Sequence, residues 1–362
     1  MEGIYQAKKL IQGAQNILVL APQNSGVDNL SSALSLSYTL NNVGKIVNSF
    51  PKTIPESYSP IFPKRIISKN FVISIKGEEI SELYYEKENQ ILKIYLSSKE
   101  SGIKKEDIEF AALEKASAQE SDLLVTIGIE RLEKLGNFYE KNFKLFYHTP
   151  ILNIDNHPLN NKFGNVNLIS ENLPTSTISE KLIDSFDKIT DKKVKTWLLA
   201  GVIEFFQKKK INQKALENVF TLTESGLNYQ GIIDFFADTS KLSQSNLLSL
   251  ILNKIKLHKE RQLPFVCLTK KDFKDSGTIP KDLGFALEQL AKKIFRLPSL
   301  LIMWESNSPN SLVRGVFYSL EPNENKKILQ SFDGQAKGST IIFNTKERDI
   351  DRAKEGVMEA MS

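Results

Sequence analysis

A chain of 362 residues, 41% hydrophobic and 25% charged, carries enough apolar material for two packed cores, so disorder is excluded as its default state. A net charge of +5 is too small to identify a polyanion-binding protein. The single cysteine, Cys267, excludes an intrachain disulfide and a cysteine-built zinc site. It lies within the apolar run PFVCLT and is expected as a buried thiol in a reducing compartment. The beginning, MEGIYQAKKLIQGAQNILVL, has no cationic start followed by a long apolar core, and no stretch approaches the ~20 apolar residues of a membrane span. A cytoplasmic protein without membrane association is therefore expected. The charge is uneven: residues 251–300 hold eleven Lys and Arg against five Asp and Glu, which suits either a solvated helix surface or a phosphate-rich ligand.

In chain order, NILVLAP (16–22) reads as a short buried strand, followed by the polar loop QNSGVDNL and a helix through SSALSLSYTLNN that closes at Gly44. Ser31 or Asn29 is the expected cap of that helix, and KIVNSF (45–50) supplies a second strand. Residues 71–97 alternate apolar and polar side chains, with turns expected at Gly77 and at Lys87-Glu88-Asn89, and read as an antiparallel β excursion. DLLVTIGI (122–129) and TPILNID (149–155) return as buried strands with a helix through ERLEKLGNFYEKN between them. Together these segments imply an α/β protein with a doubly wound parallel sheet in its N-terminal part.

The second half opens on a helix, DKKVKTWLLAGVIEFFQKKK, and another, INQKALENVFTLTESG. A linker is expected over 226–245. Beyond it SNLLSLILNKIKL, the strand PFVCLT, a helix through KDLGFALEQLAKKIFRL, the strands SLLIMWES and LVRGVFYSL, and a last helix, ERDIDRAKEGVMEAMS, make a smaller C-terminal α/β unit. The expected domains are therefore 1–225, with a β insertion over about 68–110, and 246–362.

The stretch NIDNHPLNNKFGNVNLI (153–169) draws attention because an apolar strand delivers Asp155, Asn156 and His157 to the end of a sheet, where ligands bind. The residue types suit a metal centre, except that Asn156 offers an amide where an imidazole would serve. No Gly-x-Ser-x-Gly elbow and no Gly-x-x-x-x-Gly-Lys loop is present. His148 and His258 stand in no partner pattern.

Several segments, taken in order, resemble the DHH phosphoesterase family, to which nanoRNases and RecJ-like exonucleases belong. They are a first strand and polar loop with Asp28, the central strand DLLVTIG, NIDNHPLNNKFGNVNLI with the helix start STIS (176–179), LLAGVIEFF, and the glycine-bearing SFDGQAKGSTIIF (331–343). The resemblance spans nearly the whole chain and implies a DHH-like domain, a smaller DHHA1-like domain that clamps a nucleotide substrate, and a dinuclear manganese or magnesium site. Two such ions need several carboxylates and imidazoles to hold them.

Carried over position by position, the resemblance puts Pro22 at the first motif's histidine, Gly26 at its first aspartate and Asp28 at its second. Gly128 falls where a bridging aspartate is implied. Asp155 is kept, Asn156 replaces a metal-binding histidine, and His157 matches the histidine that faces the phosphate. Phe205 falls where a late aspartate is implied, with Glu204 beside it on another helical face. In the second domain, Asp333 stands for a histidine, Ser319 for an arginine, and Arg314 lies five residues earlier.

The expectation is a catalytically impaired member with no committed metal or cofactor, Asp28 and Asp155 being the remaining weak metal candidates in a cleft with Asn156 and His157. Ser32, His157, Arg314, Gly334, Gln335, Lys337 and Gly338 are the expected ligand contacts, for a nucleotide or short single-stranded nucleic acid. Two alternatives stand beside it: an active metal-dependent phosphodiesterase with an altered site, and a protein-interaction scaffold with a protein partner or a second copy of the chain.

Overall fold

The computed structural model of the protein describes residues 2–51, 54–62, 71–75, 80–88, 91–99, 103–112, 121–186, 191–208, 217, 219–220, 222–223, 226–237, 242–306 and 312–361. The chain is mixed α/β, with a five-stranded parallel sheet in its first half and a six-stranded sheet in its second. No helix among the described residues is long and apolar enough to cross a membrane.

Helix α1 (Glu2–Gly13) leads into strand β1 (Asn16–Leu20), helix α2 (Val27–Asn42) and strand β2 (Ile46–Phe50). Strands β3 (Phe71–Ile75), β4 (Ile80–Glu88), β5 (Ile91–Ser98) and β6 (Ile108–Ala112) form the excursion. Strand β7 (Leu123–Ile127), the short helices α3 (Asn137–Lys141) and α4 (Phe143–His148), and strands β8 (Ile151–Asp155) and β9 (Val166–Ile169) complete the first sheet. Helices α5 (Thr175–Asp184) and α6 (Lys192–Lys208) follow.

The sheet order is β2-β1-β7-β8-β9, with every neighbouring pair parallel. Strands buried on both faces read as continuous apolar runs, which is why NILVL and LLVTI lack polar alternation, while ILNID is fully buried yet carries Asn153 and Asp155 on one face. Ile17, Val19, Val125 and Ile154 pack on one face with residues of α2, α5 and α6, while Leu18, Leu20 and Leu124 pack on the other with Leu145 and Phe146 of α4. Both faces are therefore covered by helices, as the doubly wound reading expects.

Helix α2 begins at Val27, with Gly26 at its cap position, so Asn29 and Ser31 lie inside the helix rather than before it. The helix expected over 130–142 is instead a 3-10 turn (Leu132–Leu135) and two short helices, because Gly136 takes φ 53° between them. In the excursion, β3 pairs antiparallel with β6 and β4 with β5, giving two separate ribbons. Lys87 and Glu88 still belong to β4, and the turn expected at Gly77 lies outside the described residues. One side of the β4–β5 ribbon carries Leu83, Tyr85, Leu92 and Ile94, all exposed, while the other carries stacked Tyr84 and Tyr95.

The span expected as a linker carries a helix, Tyr229–Phe236, whose start is capped by the Asn228 side chain accepting from the Gly231 N–H. Tyr229, Ile232 and Ile233 are buried there, in the apolar cluster that continues to Leu247, Leu300 and Ile302. Most of INQKALENVFTLTESG lies outside the described residues.

The second sheet comprises β10 (Lys256–His258), β11 (Leu263–Leu268), β12 (Ser299–Glu305), β13 (Val313–Ser319), β14 (Asp333–Lys337) and β15 (Thr340–Asn344) in the order β10-β11-β12-β13-β15-β14. Helices Pro322–Ser331 and Ile350–Ala360 contribute Ile328, Val357 and Met358 to the core against one face. Cys267 on β11 is a free, half-buried thiol, and burial pushes its pKa up to about 11, so it is a poor nucleophile at neutral pH.

Candidate functional site

In an open α/β sheet, ligands sit beyond the carboxyl ends of the strands, at the point where the strand order reverses. Here β1 runs to β2 on one side through α2, and β7 lies on its other side, so the reversal falls between β1 and β7. The segments leaving the carboxyl ends there carry Pro22 to Asp28 after β1, Gly128 to Arg131 after β7, and Asp155 to His157 at and beyond the end of β8. Asp28, Asp155, Asn156 and His157 are thus carried by segments at one edge of the sheet, and Ser32 is not.

Asp28 sits in the first turn of α2 and is buried. Its Oδ1 accepts from the Ser176 N–H at 2.9 Å and the Ser176 hydroxyl at 2.6 Å. Its Oδ2 accepts from the Thr175 N–H at 2.9 Å and from the Asn156 side-chain amide at 3.3 Å. These are the orphan backbone donors at the start of α5, whose own cap position is Pro174 and offers no side-chain acceptor. Asp28 therefore caps a helix 148 residues away rather than its own. Burial pushes its carboxyl up to about 6, against hydrogen bonds from Ser176 and Thr175 that pull the other way.

The start of α2 is served by a similar exchange. The Asp28 N–H donates to Glu204 Oε2 of α6 at 2.9 Å. A Cβ on Gly26 would stand 2.7 Å from the same oxygen, so the glycine makes room for this carboxylate. Glu204, placed by its helical spacing on a face apart from the aligned position, thus reaches the site, while Phe205 is buried in the core.

Asp155 is buried as well, with Oδ1 accepting from the Asn156 N–H at 2.7 Å and Oδ2 from the Asn160 side-chain amide at 2.6 Å. Asn160 also donates to the Ile129 carbonyl and accepts from Asn153, which in turn accepts from the Thr126 hydroxyl and donates to Asn167. This chain of amides fixes the loop after β8. His157 points away from both aspartates in its bonding: Nε2 lies 3.1 Å from Glu130 Oε2, and Nδ1 accepts from the Leu159 N–H. Glu130 also lies within 3.5 Å of Arg131 and 3.4 Å of Lys134.

The carboxylates at this edge are engaged by donors of the protein itself. Each carboxylate oxygen of Asp28 and Asp155 already accepts a hydrogen bond, and at Asp28 Oδ2 one donor is the Asn156 amide. At Gly128, a Cβ would stand 2.1 Å from Asn29 Nδ2, so the space a bridging side chain needs is filled by Asn29, which accepts from the Thr175 hydroxyl. Among the described residues, no group of three or more His, Cys, Asp or Glu is placed to share a metal ion.

The expected ligand contacts divide. Ser32 is fully buried between α2 and α5, donating to the Asp28 carbonyl and lying 3.1 Å from the Thr175 hydroxyl, so a ligand reaches it only by parting the helices. In the second sheet, Arg314 opposes Asn344, and Asn344 opposes Asp333; one step along, Val316, Ile342 and Gln335 align, and then Tyr318, Thr340 and Lys337. Paired residues point to the same face, so Arg314, Asp333, Gln335 and Lys337 share one face with half-exposed Ile342. Arg314 Nε donates to Asn344 Oδ1 at 2.8 Å, and its guanidinium lies 6.0 Å from the Trp304 ring centre. Gly334 faces the other way: a Cβ there would stand 2.9 Å from that of Phe343, which makes it a packing glycine. Gly338, at φ 61°, forms the hairpin turn. Neither joins the polar face. Ser319 accepts from the Glu321 N–H and donates to Glu324 Oε2, which ties it to the start of the helix Pro322–Ser331.

No family model and no curated relative matches this chain. Among solved structures it is similar to an exopolyphosphatase-related protein from Bacteroides fragilis, at 14% identity over 99% of this chain and 95% of that one, with a TM-score of 0.44. It is also similar to RecJ in complex with Mn2+ from Thermus thermophilus, at 11% identity over 100% of this chain and 55% of that one, TM-score 0.34. A third similar structure is exonuclease RecJ bound to manganese, at 12% identity, 99% and 94% coverage and TM-score 0.28. Likeness at this level carries no statement about chemistry.

Proposed function

We propose that this chain is a non-hydrolysing binding protein on a phosphoesterase-like frame, which holds a nucleotide or a short single-stranded oligonucleotide through its phosphates. One observation carries the reading. Asp28, the residue aligned with a surviving metal ligand, has both carboxylate oxygens engaged by the start of α5. Freeing them for a cation would uncap a buried helix end, and an unsatisfied buried donor costs roughly 1–3 kcal/mol. Hydrolysis by a two-metal mechanism needs coordinating oxygens that are available at no such cost. The shared face of Arg314, Gln335 and Lys337 supports the binding half of the reading, since a guanidinium, an amide and an ammonium are the groups that engage phosphate oxygens.

Two measurements test it. Manganese added to the purified protein is expected to leave its melting temperature unchanged; a rise of several degrees that saturates at micromolar metal overturns the reading. A short single-stranded RNA is expected to bind at low salt, to weaken as salt rises, and to be recovered intact. Manganese-dependent cleavage of that RNA or of a dinucleotide decides for the altered phosphodiesterase instead.

A further inference from the structure

Beside the Asp28 site, on the far side of the loop that leaves β1, lies a cleft of about 700 Å³. Its walls come from the segment after β1 (Pro22, Gln23, Asn24), the end of β2 (Phe50) and, after β7, residues 134–138 with Lys141 and Asn142. It therefore opens on the strand-order reversal itself, where a doubly wound sheet leaves a crevice between loops that depart to opposite sides. The volume is that of a small-molecule site, within the roughly 300–1,000 Å³ typical of them.

The lining has a divided chemistry. Phe50 and Phe138 stand with ring centres 4.7 Å apart and planes tilted by 31°, both only partly buried. Lys134 and Lys141 are exposed at the same cleft, with Gln23 and Asn24 on the opposing loop. Lys134 lies 3.4 Å from Glu130, a pair exposed at the lysine that leaves its ammonium open to the cleft. A flat aromatic group gains apolar contact from the phenylalanine pair, two ammonium groups favour an anionic substituent on the same molecule, and the amides offer donors and acceptors for the edge of a heterocycle.

We infer that this cleft, rather than the Asp28 to His157 edge, is a binding site for a mononucleotide, its base against Phe50 and Phe138 and its phosphates toward Lys134 and Lys141. The inference deepens the binding reading above and rests on it for the class of ligand. It is independent of whether the Asp28 edge hydrolyses anything.

ADP, titrated calorimetrically into the full chain at low salt, is the probe. ADP is expected to bind, adenosine and pyrophosphate each to bind more weakly, and Lys134→Gln with Lys141→Gln to weaken ADP at least about tenfold. Both lysines are exposed, so that variant keeps the fold, and Phe138→Leu adds a second reading by weakening ADP and adenosine alike. An 8-azido derivative of ADP is expected to label peptides containing residues 22–24 or 134–142. ADP binding that is unchanged in the double lysine variant, or labelling confined to the sheet face of Arg314 and Lys337, overturns the cleft while leaving the binding reading intact. Absence of ADP binding at millimolar concentration overturns the cleft, and the RNA measurement then decides the binding reading separately.

Discussion

Replacing Asp28 by Ala is expected to lower the stability of the protein by about 2–3 kcal/mol at neutral pH, read by urea unfolding, because it removes the cap of α5 and leaves two backbone donors and a hydroxyl buried without acceptors. The dependence on pH reports the balance between burial of this carboxyl and the hydrogen bonds it accepts. Burial raises the Asp28 carboxyl from 3.8 to about 6 in the folded protein. Below pH ~4 the group is protonated in both the folded and unfolded chain. Between ~4 and ~6 the unfolded chain gives up its proton while the folded chain keeps it, so the stability contributed by this group falls as pH rises and levels off above ~6, by about 3 kcal/mol in all. Asp28→Asn cannot ionise and lacks that fall. The stability difference between the two proteins is therefore expected to shift in favour of Asn as pH is raised from 4 to 7. A shift in favour of Asp would mean that the hydrogen bonds from Thr175 and Ser176 outweigh the cost of burial at this carboxylate.

The second large effect is expected at Gly128. Aspartate there must adopt φ 65° and place its Cβ 2.1 Å from the Asn29 amide, and the two demands together cost about 2–4 kcal/mol. Because the clash is with one side chain, Asn29→Ala is expected to recover part of the loss. A double-mutant cycle over Gly128→Asp and Asn29→Ala should show a coupling of about 1 kcal/mol or more. If Gly128→Asp alone changes stability by less than about 0.5 kcal/mol, Asn29 does not define the space beside it.

The strands of the first sheet were legible because their burial is written in short apolar runs, continuous in NILVL and LLVTI and carried by Ile151, Leu152 and Ile154 in ILNID. The alternation in 80–98 was equally plain, and the ribbon β4–β5 follows it. The edge that carries Asp28, Asp155 and Asn156 was legible too, since parallel strands place their carboxyl ends together, although His157 turns from it to Glu130. What those residues do there was not. The cap given by Asp28 joins positions 148 apart, and the bond from Asp28 to Glu204 joins positions 176 apart, so neither leaves a local spacing to read. The start of α2 was placed too late for the same reason: local rules look for a cap among nearby Asn and Ser residues, whereas the acceptor comes from another helix. Glycine misled in two ways. Gly136 breaks a stretch whose charge pattern is helical, and Gly334 marks a tight packing contact where open backbone toward a ligand was expected. The helix Tyr229–Phe236 was missed because it is only eight residues long and follows Gly226 and Asn228, which read as loop.

The two exchanged carboxylates also bear on how the first half of the molecule comes apart. Helix α6 holds the start of α2 through Glu204, and α2 holds the start of α5 through Asp28, so three elements far apart in sequence are laced end to end inside one apolar cluster. Fraying at the start of α2 or of α5 breaks hydrogen bonds to a neighbouring helix, and local opening is thereby suppressed. Slow amide exchange should then extend to the first turns of α2 and α5, positions that in most helices are the earliest to open.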